Sequence, residues 1–98
     1  MAIKQNTENG ILTISPEGFL NADTSLEVEN IIESVDSFKA LVIDMEQVNY
    51  ISSAGIRVLL TALKKAKEID ADYSVINVNS EVKSVLSMTG LDSKLGIL

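Results

Sequence analysis

The 98-residue sequence contains no cysteine and no histidine. These absences exclude disulfides, thiol catalysis, zinc sites built from Cys and His, and any Ser-His-Asp triad. Proline occurs once, and aromatic residues make up only 4% of the chain. Ile, Leu and Val must therefore fill the core of what we expect to be one small domain spanning residues 1–98.

Basic residues are also scarce, since 8 of them face 14 acidic residues and leave a net charge of −6. A surface this acidic repels nucleic-acid phosphates and anionic lipid headgroups, so we expect neither as a partner. No apolar run approaches the roughly 20 residues that span a bilayer, and the first residues lack the apolar segment of a secretory signal. We expect a soluble, cytoplasmic monomer that makes no direct contact with a membrane.

A hairpin is predicted at the start of the chain. Asn9-Gly10, the strongest short hairpin signal, separates two short candidate strands, Ala2–Gln5 and Ile11–Ser15. We expect Ile3 and Ile11 to face the core, together with Leu12 or Ile14.

A first helix is predicted from the sequence Thr24-Ser25-Leu26-Glu27, which matches a capping box with Thr24 as its N-cap. Asp36-Ser37 is expected to close this helix. The preceding turn contains Gly18, and Asn21 and Asp23 are suited to turn and cap chemistry there, or to contact with a partner. The apolar positions behind the box keep helical spacing: Val28, Ile31, Ile32 and Val35.

The central stretch runs from Leu41 to Leu63. It predicts a buried strand at Ala40–Asp44, a loop at Met45–Tyr50, and a helix from about Ser53 to Ile69. Apolar residues with the spacing of one helix face follow the serine pair: Ile56, Leu59, Leu60 and Leu63.

The last third predicts a strand at Tyr73–Val78 and a short helix that begins at Asn79-Ser80 and ends at Gly90. An apolar tail, residues 91–98, is expected to pack as a last turn or short strand. The order is then β-β-α-β-α-β-α. The predicted fold class is α/β, a small mixed sheet with helices packed mainly on one face.

Ser52 and Ser53 stand where the central helix needs an N-cap, and two interpretations follow. A hydroxyl there commonly caps the free amides of the first turn. Alternatively, one serine carries a phosphate that the positive end of the helix stabilises. The local pattern alone fits both.

The stretch VNYISSAGIRVLL resembles the signature of STAS domains, in particular the bacterial anti-sigma factor antagonists. In that family an aromatic-containing loop leads to Asp-Ser-Ser/Thr-Gly-Leu at the start of the central helix, and the first Ser is phosphorylated. With Gly55 on the family's glycine, Ser53 falls on the phosphoacceptor, Ser52 on the Asp and Ala54 on the second Ser or Thr. The chain thus keeps the acceptor and lacks the neighbouring carboxylate.

The resemblance implies a STAS-like fold and a binding function without a cofactor, a metal or enzymatic activity. Unphosphorylated members bind an anti-sigma factor that is also a serine kinase, which frees a sigma factor. Phosphorylation, here at Ser53, switches the binding off, and a serine phosphatase resets it. The implied partner-binding residues are Asn21, Asp23, Thr24, Tyr50, Ser52, Ser53, Ala54, Gly55 and Arg57.

Two other functions remain open at the level of sequence. Enzymatic use of Ser53 needs a base, and without histidine only Lys, Asp or Glu is available, for example Asp44 at the strand end. A non-phosphorylated STAS scaffold, or the regulatory subunit of a signalling or transporter complex, is compatible with Ser52 in place of the usual Asp.

Overall fold

The computed structural model describes residues 3–88 and residue 90. Over these residues the elements follow in the order β1 (Ile3–Glu8), β2 (Ile11–Pro16), β3 (Gly18–Leu20), α1 (Ala22–Ser34), β4 (Ala40–Asp44), β5 (Val48–Ile51), α2 (Ser53–Glu68), β6 (Asp72–Ile76) and α3 (Ser80–Met88). The predicted α/β class and mixed sheet are confirmed. The predicted order lacked β3 and β5.

The main sheet has four strands in the order β1-β2-β4-β6. β1 and β2 form the predicted antiparallel hairpin, while β2 and β6 both pair with β4 in parallel. Asn9 and Gly10 have φ values of 54° and 82°, the positive pair that a type I′ turn requires. The expectation that Ile11 faces the core is wrong. Ile11 is 41% exposed, because the alternation along β2 turns Leu12 and Ile14 inward.

Within residues 3–88, a second sheet consists of β3 and β5, which pair in parallel. The predicted turn at Gly18 and the predicted loop at Met45–Tyr50 are therefore partly strand. These strands have three and four residues, and β5 shows no alternation, since Val48 and Ile51 are buried while Asn49 and Tyr50 are exposed. Without a period of two, the sequence carried no strand signal there.

Helix α1 is capped three residues before the predicted position, and it ends at Ser34 rather than at Asp36-Ser37. Its N-cap is Asn21, whose side chain accepts from the backbone N–H groups of Asp23 and Thr24 at 3.1 and 3.2 Å. The capping box at Thr24 is therefore wrong. Thr24 is buried in the first turn, where its hydroxyl donates to the carbonyl oxygen of Phe19 at 2.9 Å.

Helix α2 presents a different face to the core than its largest apolar residues suggested. Leu59 is buried, but Ile56, Leu60 and Leu63 are only partly buried at the edge of the core. Small side chains let the helix approach the sheets closely. The face that is buried consists of Gly55, Val58, Leu59, Ala62 and Ala66.

Helix α3 is capped as predicted, because the Asn79 side chain accepts from the backbone N–H of Val82 at 2.8 Å. Gly90 has a φ of 73°, the left-handed conformation expected after a helix. The predictions for residues 91–98 lie outside the described residues. None of the helices that the structure describes has the length and apolar character needed to cross a membrane.

Candidate functional site

The start of α2 is fastened to the end of β3 through Ser52. The backbone N–H of Ser52 donates to the carbonyl oxygen of Leu20 at 3.0 Å, and its hydroxyl donates to the same oxygen at 3.2 Å. The hydroxyl also accepts from the backbone N–H of Gly55 at 3.4 Å, and Ser52 has the extended backbone typical of an N-cap. Ser52 is therefore the cap of α2.

Ser53 is the first residue inside the helix, and it is exposed. Treating Ser53 as the N-cap is wrong, since Ser52 already performs that function. The Ser53 hydroxyl is consequently not needed for capping and faces solvent.

The backbone at Gly55 comes too close to its neighbours for any side chain. A Cβ atom built there would lie 2.5 Å from the carbonyl oxygen of Leu20 and 2.6 Å from Cγ1 of Ile51. Because one of these is a backbone atom, the contact cannot be relieved by a rotamer change. Glycine at this position lets α2 start directly against β3 and β5, which fixes where Ser53 emerges.

The electrostatics at this helix end favour an anion. The first turn of α2 contains no acidic residue, and its last turn contains Lys65 and Lys67, which complement the helix dipole. The amides of the first turn have no intrahelical acceptor. Arg57 is exposed one turn after Ser53, on the same side of the helix. A phosphate on Ser53 would meet the positive helix end and, nearby, a guanidinium.

The nine residues implied as partner contacts do not share one degree of exposure. Asp23, Tyr50, Ser53 and Arg57 are exposed. Thr24 and Gly55 are buried, so their side-chain positions cannot contact a partner directly. They contribute to the surface by fixing the position of the backbone. The half-buried members are Asn21, Ser52 and Ala54.

One surface residue was missed by the sequence analysis. Phe19 on β3 is paired with Tyr50 on β5, and the two rings make an edge-to-face contact with centroids 5.2 Å apart. Phe19 is 43% exposed and Tyr50 53%. The one available signal was that the chain has only two Phe and two Tyr, of which Phe19 is one.

Asp44, the carboxylate considered as a base, is engaged in structure. Its Oδ1 accepts from the backbone N–H of Glu46 at 3.1 Å and from the Asn77 side chain at 3.0 Å, which holds the loop after β4. In the part of the chain that the structure describes, no cluster of three or more acidic side chains is placed to hold a metal ion.

Comparison with known proteins identifies the family. A profile of the STAS domain matches residues 2–97. The chain is 25% identical over 92 residues to BtrV of Bordetella bronchiseptica, whose name proposes an anti-sigma factor antagonist; the match covers 92% of this chain and 79% of BtrV.

Solved structures agree with that family in fold. An anti-sigma factor antagonist from Mycobacterium paratuberculosis superposes with a TM-score of 0.84 at 26% identity, covering 98% of this chain and 83% of its own. The Bacillus protein SpoIIAA in its phosphorylated form gives 0.80 at 13% identity, with 99% and 89% covered, and at that identity shows the fold alone. Since the family profile covers nearly the whole sequence, the chain belongs to the STAS domain family.

Proposed function

We propose that this protein is an anti-sigma factor antagonist controlled by phosphorylation of Ser53. The unmodified form binds an anti-sigma factor that is also a serine kinase, and thereby frees a sigma factor. Phosphorylation by that partner ends the binding, and a serine phosphatase restores it. The observation that carries this proposal is the exposed Ser53 at the first position of α2, whose hydroxyl is spared from capping by Ser52.

The similarity to anti-sigma factor antagonists supports the choice of partner class. The geometry supports the choice of switch. A phosphate adds about −1.5 to −2 charges and three acceptor oxygens at a residue that was neutral. In the free protein the positive end of α2 stabilises these charges, and they remain hydrated. In the complex with a partner they must lose hydrating water. Phosphorylation therefore costs the bound state more than the free state.

An alternative is a STAS scaffold or regulatory subunit that is never phosphorylated. Ser52 favours it, because the carboxylate usual at that position in the family is replaced by a neutral cap. Mass spectrometry of the protein purified from its own host separates the two. Phosphate on Ser53 supports the switch, and its absence under several growth conditions supports the scaffold.

The acceptor can be identified with the anti-sigma factor kinase and radiolabelled ATP. We expect Ser53→Ala to abolish labelling and Ser52→Ala to retain it, since Ser52 is half-buried and bonded to Leu20. Ser80→Ala is a matched control, because Ser80 is likewise the exposed first residue of a capped helix. Labelling of Ser53→Ala at the level of the unsubstituted protein would show that the acceptor lies elsewhere.

A further inference from the structure

Half of the aromatic residues in this chain lie at the surface beside Ser53. The sequence has two Phe and two Tyr, and of these Phe19 and Tyr50 form the exposed edge-to-face pair. We propose that this aromatic pair anchors the anti-sigma factor, which covers it with an aliphatic side chain flanked by basic groups. The inference rests on the proposed function and names the chemistry of the partner's contact.

The aromatic pair and Ser53 belong to one rigid piece of structure. Tyr50 precedes Ser53 by three residues, and Leu20, the neighbour of Phe19, accepts both hydrogen bonds from Ser52. Leu20 and Ile51 are buried in the core, whereas their chain neighbours Phe19 and Tyr50 are exposed, so the two rings lie on the outside of this small sheet. A partner that reaches Ser53 along these strands meets the rings.

The backbone under the pair is already ordered. The carbonyl oxygen of Phe19 accepts from the Thr24 hydroxyl at 2.9 Å and from the backbone N–H of Asn21 at 3.0 Å. On β5, the Asn79 side chain donates to the carbonyl oxygen of Val48 at 2.9 Å. Binding to a preformed surface costs less conformational entropy than binding to a loop.

The pair differs from the other large apolar side chains that are exposed among the described residues. Those are Ile11, Leu26 and Met88, each on a different element. Aromatic side chains bury large areas with few rotatable bonds, and they are enriched among the residues that carry most of the energy of an interface. The contiguous pair of Phe19 and Tyr50 beside Ser53 therefore indicates a surface that binds another protein.

The charges around the pair select the partner. Glu46 and Asp23 are exposed, the first four residues before Tyr50 and the second four residues after Phe19. Glu17 stands at the same end as Glu46, since the N–H of Gly18 donates to the carbonyl oxygen of Gln47 at 2.8 Å. These carboxylates at both ends of β3 and β5 complement basic groups. The apolar centre explains why a phosphate on Ser53 ends binding, because the dianion would lose its water there.

The test titrates the purified anti-sigma factor kinase, the protein that labels Ser53, into variants of this chain. Phe19→Ala and Tyr50→Ala should each weaken binding at least about tenfold, as truncation of an anchor does. Tyr50→Phe keeps the ring and should bind more tightly than Tyr50→Ala. The control is Ile11→Ala at the hairpin, a comparably exposed residue outside the aromatic pair, which should bind within about twofold of the unsubstituted protein. Thermal melts verify that each variant is folded.

A second arm tests the charges by stopped-flow association at several salt concentrations. Glu46→Gln should slow association by about twofold or more and flatten its salt dependence. The control is Asp70→Asn in the turn after α2, a left-handed position that Asn tolerates, and it should leave the rate unchanged. Equal association rates for Glu46→Gln and the unsubstituted protein would overturn the proposal that the partner's contact surface is basic.

Failure of this inference is distinguishable from failure of the proposed function. If the unsubstituted protein binds while both ring-to-Ala variants bind within about twofold of it, the anchor is overturned and the switch stands. If the unsubstituted protein neither binds nor is labelled, the proposed function itself fails, and the inference falls with it.

Discussion

Two adjacent serines at the start of α2 have different chemical environments. Ser52 is held by Leu20 and Gly55 and caps the helix, so its hydroxyl is occupied. Ser53 is exposed and leaves the helix end accessible to a kinase. Because the cap beside Ser53 is neutral, a phosphate placed on Ser53 would meet no neighbouring carboxylate in the first turn of α2.

Arg57 is expected to stabilise the phosphorylated protein selectively. It follows Ser53 by one helical turn, and its planar guanidinium can hold two phosphate oxygens. Removing an exposed pair of this kind costs about 0.5–1 kcal/mol. Arg57→Ala should therefore lower the melting temperature of the phosphorylated protein by roughly 2–6 °C more than that of the unmodified protein.

Lys64→Ala is the control for this prediction, since Lys64 is also exposed on α2 but lies about three turns from Ser53. It should affect both forms alike. Equal destabilisation of both forms by Arg57→Ala would contradict the proposed contact between Arg57 and a phosphate on Ser53. A large loss of binding by the unmodified Arg57→Ala protein would instead place Arg57 in the interface.

At the scale of elements, the site depends on how α2 is seated against β3 and β5. The Asn9-Gly10 turn, the three helices and the strand at Ala40–Asp44 follow from local signals, namely turn chemistry and hydrophobic period. The short strands β3 and β5 do not, because their pairing is decided by contacts between residues distant in the chain. The serine pair was found from sequence, whereas the division of roles between Ser52 and Ser53 required the geometry of the Leu20 carbonyl.

The buried face of α2 likewise could not be predicted from local sequence signals alone. The spacing of Ile56, Leu59, Leu60 and Leu63 predicted that face, but only Leu59 among them is buried. The rest of the buried face is formed by Val58 and three small residues, Gly55, Ala62 and Ala66. A periodic pattern locates a helix. How closely the helix approaches a sheet depends on which side chains leave room.

Gly55→Ala tests this seating directly. The new Cβ would overlap the carbonyl oxygen of Leu20, and overpacking of this kind costs about 1–3 kcal/mol. The better helix propensity of Ala returns about 1 kcal/mol at most. Urea unfolding should show a net loss of stability. Thr61→Ala, in the middle of the same helix, controls for propensity and should be close to neutral; equal stability of Gly55→Ala and the unsubstituted protein would refute the close contact.

At the scale of the whole molecule, the charges of the two long helices complement each other. Helix α1 contains four carboxylates and no base, whereas α2 contains four bases and one carboxylate. Glu29 and Glu33 line the same groove as Lys64 and Lys65. The lysines of α2 thus offset the acidity of α1 within the fold, although the molecule remains acidic overall.

Burial of Tyr73 makes the stability of the whole fold sensitive to alkali. Its hydroxyl donates to the carbonyl oxygen of Leu59 at 2.9 Å, which joins β6 to α2. Burial disfavours the phenolate and raises the pKa of Tyr73 well above its usual 10.0. The neutral phenol is favoured in the folded state, so this contribution is complete below about pH 10 and is lost as the pH rises further.

Tyr73→Phe should cost about 0.5–1.5 kcal/mol at pH 8, through the lost hydrogen bond. Between pH 8 and pH 11 its free energy of unfolding should fall less than that of the unsubstituted protein. Tyr50→Phe removes a hydroxyl from an exposed ring and serves as the control. A parallel fall of the Tyr73→Phe and unsubstituted proteins would contradict the burial of the Tyr73 hydroxyl.

The proposed function requires that a phosphate on Ser53 switches off the binding of an anti-sigma factor. The most direct measurement is the dissociation constant of one purified anti-sigma factor for the unmodified protein and for the same protein phosphorylated only at Ser53, with Ser53→Ala as a neutral reference. We expect tight binding of the unmodified and Ser53→Ala proteins and a loss of affinity of at least about tenfold, or 1.4 kcal/mol, on phosphorylation. Equal affinities of the phosphorylated and unmodified proteins would contradict that expectation.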